Sequence, residues 1–255
     1  MNKRPLLLFL LVLAALALIA LLAGDQSFTR HMLIHMGVVV LAAPFLALSL
    51  IGTRYERMRA DRIMTPITAS LVELVTVWFW HMPALRRLAD GSTFITALEL
   101  SSFLAAGTLL WLACLGTRQA GTAPRLAGVI GLLLTSMHMT LLGALLTLSP
   151  RPLYGGGTVT CFGLTLSAAD DQALGGVVML LIGAAAYLAG GVALLAGLLK
   201  DENVTGTSAT TMAGADLGNE HQDAPERDRA RKSLTLKPSR VHAGASAPAT
   251  LARGR

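Results

Sequence analysis

The sequence predicts an all-α integral membrane protein, a bundle of about six transmembrane helices followed by a disordered tail. Three observations predict it. Apolar residues make up 53% of the 255 positions and charged residues only 14%, outside the balance of ordinary soluble domains. Apolar runs of about 20 residues recur, each long enough to cross a hydrocarbon core of roughly 30 Å. Beyond residue 200 the chain turns to Ala, Thr, Gly, Ser and charge and carries no aromatic residue.

The predicted spans lie at 5–23, 31–51, 64–82, 94–116, 125–148 and 172–199, so residues 1–199 form the membrane domain and 200–255 the tail. The first span follows Lys3 and Arg4 as a signal peptide would. Its apolar run is too long for a signal h-region, and Leu21-Leu22-Ala23 is a poor cleavage site, so an uncleaved helix is expected. The second span carries Pro44, which should bend it. The third ends with Trp78 and Trp80, where an interfacial aromatic belt is expected. The sixth is rich in glycine (Gly175, Gly176, Gly183, Gly190, Gly191, Gly197), which permits close helix contact.

Orientation follows the basic residues of the short loops. Arg54, Arg57, Arg59, Arg62, Arg118 and Arg125 share a side with Lys3 and Arg4. That side should be cytoplasmic, with both termini inside and the loops at 24–30, 83–93 and 149–170 outside. The net charge of +6 belongs partly to these loops and to the tail stretch Arg227-Asp228-Arg229-Ala230-Arg231-Lys232, so no nucleic-acid partner is implied.

Each histidine of the membrane domain is followed directly by methionine: His31-Met32, His35-Met36, His81-Met82 and His138-Met139. Imidazole plus thioether is a soft donor set suited to Cu(I). His31 and His35 share a helix face at the outer end of the second span, and His81 closes the third at the same end. His138 lies about 15 Å below the outer end of the fifth span. Asp171 opens the sixth span as a ligand or as a partner that orients an imidazole. Two carboxyls, Glu73 and Glu99, fall inside spans with no Lys or Arg in a span to pair them. For Glu73 a hydrogen bond to a neighbouring helix is the favoured role. Cys114 and Cys161 fall on opposite sides of the membrane. No phosphate loop, nucleophile elbow or paired-cysteine zinc motif is present in the sequence, so catalysis is not expected.

His31-Met32-Leu33-Ile34-His35-Met36, Trp80-His81-Met82-Pro83-Ala84-Leu85, Phe103-Leu104-Ala105-Ala106-Gly107 with Trp111, Ser149-Pro150-Arg151-Pro152-Leu153-Tyr154, and Asp171-Gln172 with Gly175-Gly176 and Met179 occur in that order. Over roughly residues 28–195 the chain thereby resembles the caa3-type cytochrome c oxidase assembly family (CtaG-like). The resemblance implies a bacterial plasma-membrane protein that assembles haem-copper oxidase, supplying copper to the catalytic subunit. A periplasmic or other extracytoplasmic copper chaperone would be its donor. On that reading His31, His35, His81 and His138, with Met32, Met36, Met82, Met139 and Asp171, handle the metal. The chain departs from the family pattern at Leu100, where members often carry a histidine, and in lacking a seventh predicted span. Three other readings stay open: a haem protein using His35 and His138, a proton-linked transporter using Glu73 and His138, and a purely structural scaffold for the oxidase.

Overall fold

A computed structural model describes residues 3–22, 27–51, 65–116, 121–161 and 163–200. The chain divides into two units, Met1–Asp201 and Glu202–Arg255. The predicted tail and the arginines at 54–62 lie outside the described residues, as does Arg118.

Seven helices and one hairpin make up the described part of the first unit: α1 Lys3–Leu22, α2 Phe28–Leu50, α3 Pro66–Trp80, α4 Pro83–Asp90, α5 Thr93–Leu115, α6 Thr122–Thr147, β1 Thr158–Cys161, β2 Leu164–Ser167 and α7 Ala168–Lys200. Five of these helices (α1, α2, α5, α6 and α7) are long and apolar enough to cross a membrane. The third predicted span appears as α3, whose 15 residues rise about 22 Å and fall short of a full crossing. The all-α membrane architecture is as the sequence predicts. Leucine, isoleucine, valine and phenylalanine side chains cover the outer faces of the helices, as lipid requires.

Two segments expected as outer loops are structured. Residues 83–90 form α4, a short helix that Pro83 starts at its first turn. Thr158↔Ser167 and Cys161↔Leu164 pair in an antiparallel hairpin, turned at Gly163 with φ 81°. Val and Thr dominate the first strand, but a strand of four residues gives too short a pattern to read against a helical background.

Pro44 acts as expected, in an unexpected form. Residues Gly37–Ala42 wind as a π-helix, and the N–H of Ala43 donates to the carbonyl of Val38. The next donor in that series would be residue 44, and proline has no N–H. The carbonyl of Val39 is left over, and the indole N–H of Trp111 on α5 donates to it at 3.1 Å. Gly107, one turn earlier on α5, permits this approach: a Cβ there would stand 3.1 Å from Ala43 Cβ and 3.2 Å from Val39 Cγ1. Phe103, a further turn along, meets His35 edge-on with ring centroids 4.0 Å apart. Residues 103, 107 and 111 thus form one stripe of α5 against the π segment of α2.

On α7, Gly176 is a point of close contact, since a Cβ there would stand 2.8 Å from the Gly143 carbonyl oxygen. Gly197 meets nothing within 4 Å, so its predicted packing role does not hold. Glu73 has the helix-linking role the sequence favoured, accepting the Tyr187 hydroxyl at 2.6 Å. Beside it Ser70 and Thr135 share a hydrogen bond of 2.8 Å, fixing the register of α3 on α6. Trp80 does not belong to a lipid-facing belt: it is buried and donates to Ser102 Oγ at 2.8 Å.

Candidate metal centre

Three helix ends and one loop assemble the site. Asp171, in the first turn of α7, caps α2. Its Oδ1 accepts from Ser27 Oγ at 2.7 Å and Thr29 N at 3.2 Å, and its Oδ2 accepts from Phe28 N at 2.6 Å. Thr29 Oγ1 donates back to the Asp171 carbonyl at 2.8 Å. A buried carboxylate against the orphan N–H groups and positive end of a helix is a strong cap, each such bond contributing about 1.5–3 kcal/mol. Asp171 therefore sets the axial position of α2, and with it His31 and His35, instead of facing an imidazole as the sequence suggested. Gln172 ties α7 to its neighbours: Oε1 accepts from Leu153 N at 2.6 Å, and Nε2 donates to the Leu146 carbonyl at 3.1 Å.

Tyr154 closes the end of the bundle. Its hydroxyl donates to the His81 carbonyl at 2.5 Å, and its ring stacks on Phe28 with centroids 4.4 Å apart. Burial pushes the phenol up to about 12, the nearby Arg86 opposing and Glu99 reinforcing the rise, so the donor proton stays in place at neutral pH.

His81 ends α3, and its Nδ1 lies 2.7 Å from the Val77 carbonyl. A carbonyl only accepts, so Nδ1 carries the proton and Nε2 keeps its lone pair. Such backbone orientation is the usual preparation of a metal-binding histidine. His35 is fully buried, with its ring centroid 5.4 Å from that of His81 at 85° and 6.4 Å from that of His31. Neither ring nitrogen of His35 has a hydrogen-bond partner, and neither does Nε2 of His81. Leaving a buried polar atom bare costs about 1–3 kcal/mol, so three together call for an occupant. Among the described residues no group of three His, Cys, Asp or Glu side chains has metal-holding geometry. These bare nitrogens make His35 and His81 the candidate ligands of the site.

His31 is held differently. Arg86 of α4 sends one guanidinium nitrogen to Glu99 of α5, 3.0 and 2.8 Å from its two oxygens, and the same nitrogen lies 2.9 Å from His31 Nδ1. His31 Nε2 lies 3.3 Å from Glu99. The same Arg86 nitrogen lies 3.0 Å from His31 Nε2, so the guanidinium sits against both ring nitrogens and Glu99 against Nε2. The expectation that Glu99 lacks a cation is overturned: Arg86 comes from α4 and not from a span, and it also bonds Asp90. The sequence signal was a short amphipathic stretch, Pro83–Asp90, between two spans.

His138 stands apart. It lies three residues past Thr135, as Glu73 lies three past Ser70, so the Ser70–Thr135 bond places it level with Glu73. His81 is eight residues further along, about 12 Å away in height. His138 is buried with neither ring nitrogen partnered. Met32, Met36 and Met139 are fully buried, whereas Met82 is 52% exposed. Met36 and Met139 face each other across Gly183: its Cβ, were one present, would stand 3.7 Å from Met36 Sδ and 3.3 Å from Met139 Cβ. Cys114 and Cys161 are both buried.

The model of the cytochrome c oxidase caa3 assembly factor family matches residues 6–201. The chain belongs to that family. No curated protein and no solved structure matches it. In this caa3 assembly-factor sequence, the family-like motifs have distinct physical tasks. Asp171-Gln172 fixes helix ends, Phe103, Gly107 and Trp111 seat α2, and Tyr154 holds the His81 backbone. All of them bear on the placement of His35 and His81.

Proposed function

We propose that this membrane protein serves caa3 oxidase assembly by holding Cu(I) and passing it to the haem-copper catalytic subunit. The observation that carries the reading is the His35–His81 pair: ring centroids 5.4 Å apart, with three bare ring nitrogens. Two imidazoles sharing an ion through bonds of about 2 Å have centroids about 5.5 Å apart when the ion is bent toward a third donor, which fits the pair. Low coordination by soft donors suits Cu(I) and favours release by ligand exchange, with no change of oxidation state.

His31 serves as an outer ligand, and His138 with Met139 as a deeper one. Met32 and Met36 supply thioethers along α2, and the exposed Met82 meets the donor or acceptor. Asp171 acts through the position of α2. The role is not catalytic. The donor is an extracytoplasmic copper chaperone, the histidine-bearing end faces outward, and both termini are cytoplasmic.

The test is metal analysis with a visible spectrum on detergent-purified protein, alongside His35→Ala/His81→Ala. Copper retained by the native protein and lost in the variant supports the reading. A Soret band would transfer the pair to haem, and neither metal nor haem after Cu(I) loading would overturn metal handling.

A further inference from the structure

A cavity of about 260 Å³ lies where α2, α4 and α5 meet. Arg30 is in the first turn of α2 and Thr93 begins α5, so the mouth sits at the ends of two helices long enough to cross a membrane. That is the level of lipid headgroups. The walls change character with depth. Arg30, Asp90 and Thr93 stand at the mouth, with Arg86 buried behind them. Ile34, one turn further along α2, and Leu100, two turns further along α5, make an apolar, half-buried floor.

We propose that this cavity seats the head of an ethanolamine phospholipid, with its phosphate toward Arg30 and its ammonium toward Asp90. The lipid site does not depend on the Cu(I) reading. Charge selects the ligand. Of the three charged residues in the lining two are guanidinium groups, the side chain best shaped for phosphate. Glu99 answers Arg86 from behind at 2.8 Å, which leaves Arg30 on α2 and Asp90 on α4 as the cation and anion of the mouth. Asp90 Oδ1 accepts from Arg86, yet the Asp90 side chain is still 49% exposed. A head that carries both signs meets both residues, whereas a purely anionic head is opposed by Asp90. The start of α5 adds to the phosphate side. Ser92 gives that helix no side-chain cap, so the N–H groups of its first turn remain open to a ligand beside Thr93. The start of α2 is different, because Asp171 already caps it. An acyl chain leaving the head runs past Ile34 and Leu100, a contact that a free phosphate compound lacks.

The test is native mass spectrometry of the full-length protein, stripped of lipid in detergent. It is titrated with dioleoyl phosphatidylethanolamine, dioleoyl phosphatidylglycerol or free phosphoethanolamine. The first ethanolamine lipid should bind about tenfold more tightly than either of the others, the worth of one charge-assisted contact. Arg30→Gln should weaken it by about the same factor. Asp90→Asn should abolish the preference over phosphatidylglycerol. Thr93→Trp fills the mouth, keeps both charges and should remove binding, with helical content and Tm as the check on folding. Equal affinity in the native protein and Arg30→Gln overturns the site, as does phosphatidylglycerol bound as tightly as the ethanolamine lipid. Phosphoethanolamine bound as tightly as the lipid overturns the assignment to a lipid.

Discussion

Trp111 donates its indole N–H to the carbonyl of Val39, the group that Pro44 leaves without a partner in the π-helical turn of α2. The bond couples a bend one turn beyond Met36 to the helix that carries Phe103. A Trp111→Phe change leaves a buried carbonyl bare and should cost about 1–3 kcal/mol. In a Pro44→Ala background the restored N–H can serve that carbonyl, so the same change should cost less. A double-variant cycle of thermal unfolding in detergent checks this, and equal costs in both backgrounds would refute it.

Asp171 should prove structural. Asp171→Asn retains shape but loses charge and one acceptor of the cap, so stability should fall by about 1–3 kcal/mol. Copper per folded protein should be unchanged. Loss of copper at full stability would make Asp171 a ligand.

The Arg86–Glu99 pair should be costly to break and cheap to replace. Arg86→Met or Glu99→Met alone strands a buried partner and should destabilise by about 3–5 kcal/mol, whereas Arg86→Met/Glu99→Met should recover most of that loss. Chemical unfolding of the four forms reads the coupling directly, and additive losses would count against the pair.

Tyr154 predicts an alkaline signature. Its phenol lies above its ordinary value in the folded protein, at about 12, so the unfolded chain releases the proton first as pH rises. The stabilisation is complete below about pH 10 and is lost toward pH 12, each tenfold difference in proton affinity between the folded and unfolded chain contributing about 1.4 kcal/mol. Tyr154→Phe should remove that part of the decline. Parallel curves for the two proteins between pH 9 and 12 would contradict it.

Much of the fold was legible because lipid leaves the backbone few options: long apolar runs must be helices, and five of the six predicted spans reappear within three residues at each end. The sixth does not: α7 begins at Ala168, where the capping Ser167 precedes Asp170 and Asp171. The candidate site was half legible. Shared spacing placed His31 and His35 on one face, and their common end with His81 followed from span order. The depth of His138 below that end was legible from its place in the fifth span, whereas the rotation of helices in an apolar bundle carries no periodic signal, so the meeting of the His35 and His81 rings was hidden. Arg86 was hidden for another reason. A basic residue in a short loop reads as a topology marker, and only the folding of α4 against α5 turns it into the partner of Glu99.

The central claim is that His35 and His81 together hold a soft metal ion. The direct measurement is copper content and Cu K-edge absorption of the purified protein, native and His35→Ala/His81→Ala. The account predicts Cu(I) with nitrogen donors in the native protein, and loss of that copper in the variant without loss of helical content. Copper bound equally by both proteins, or by neither, would contradict it.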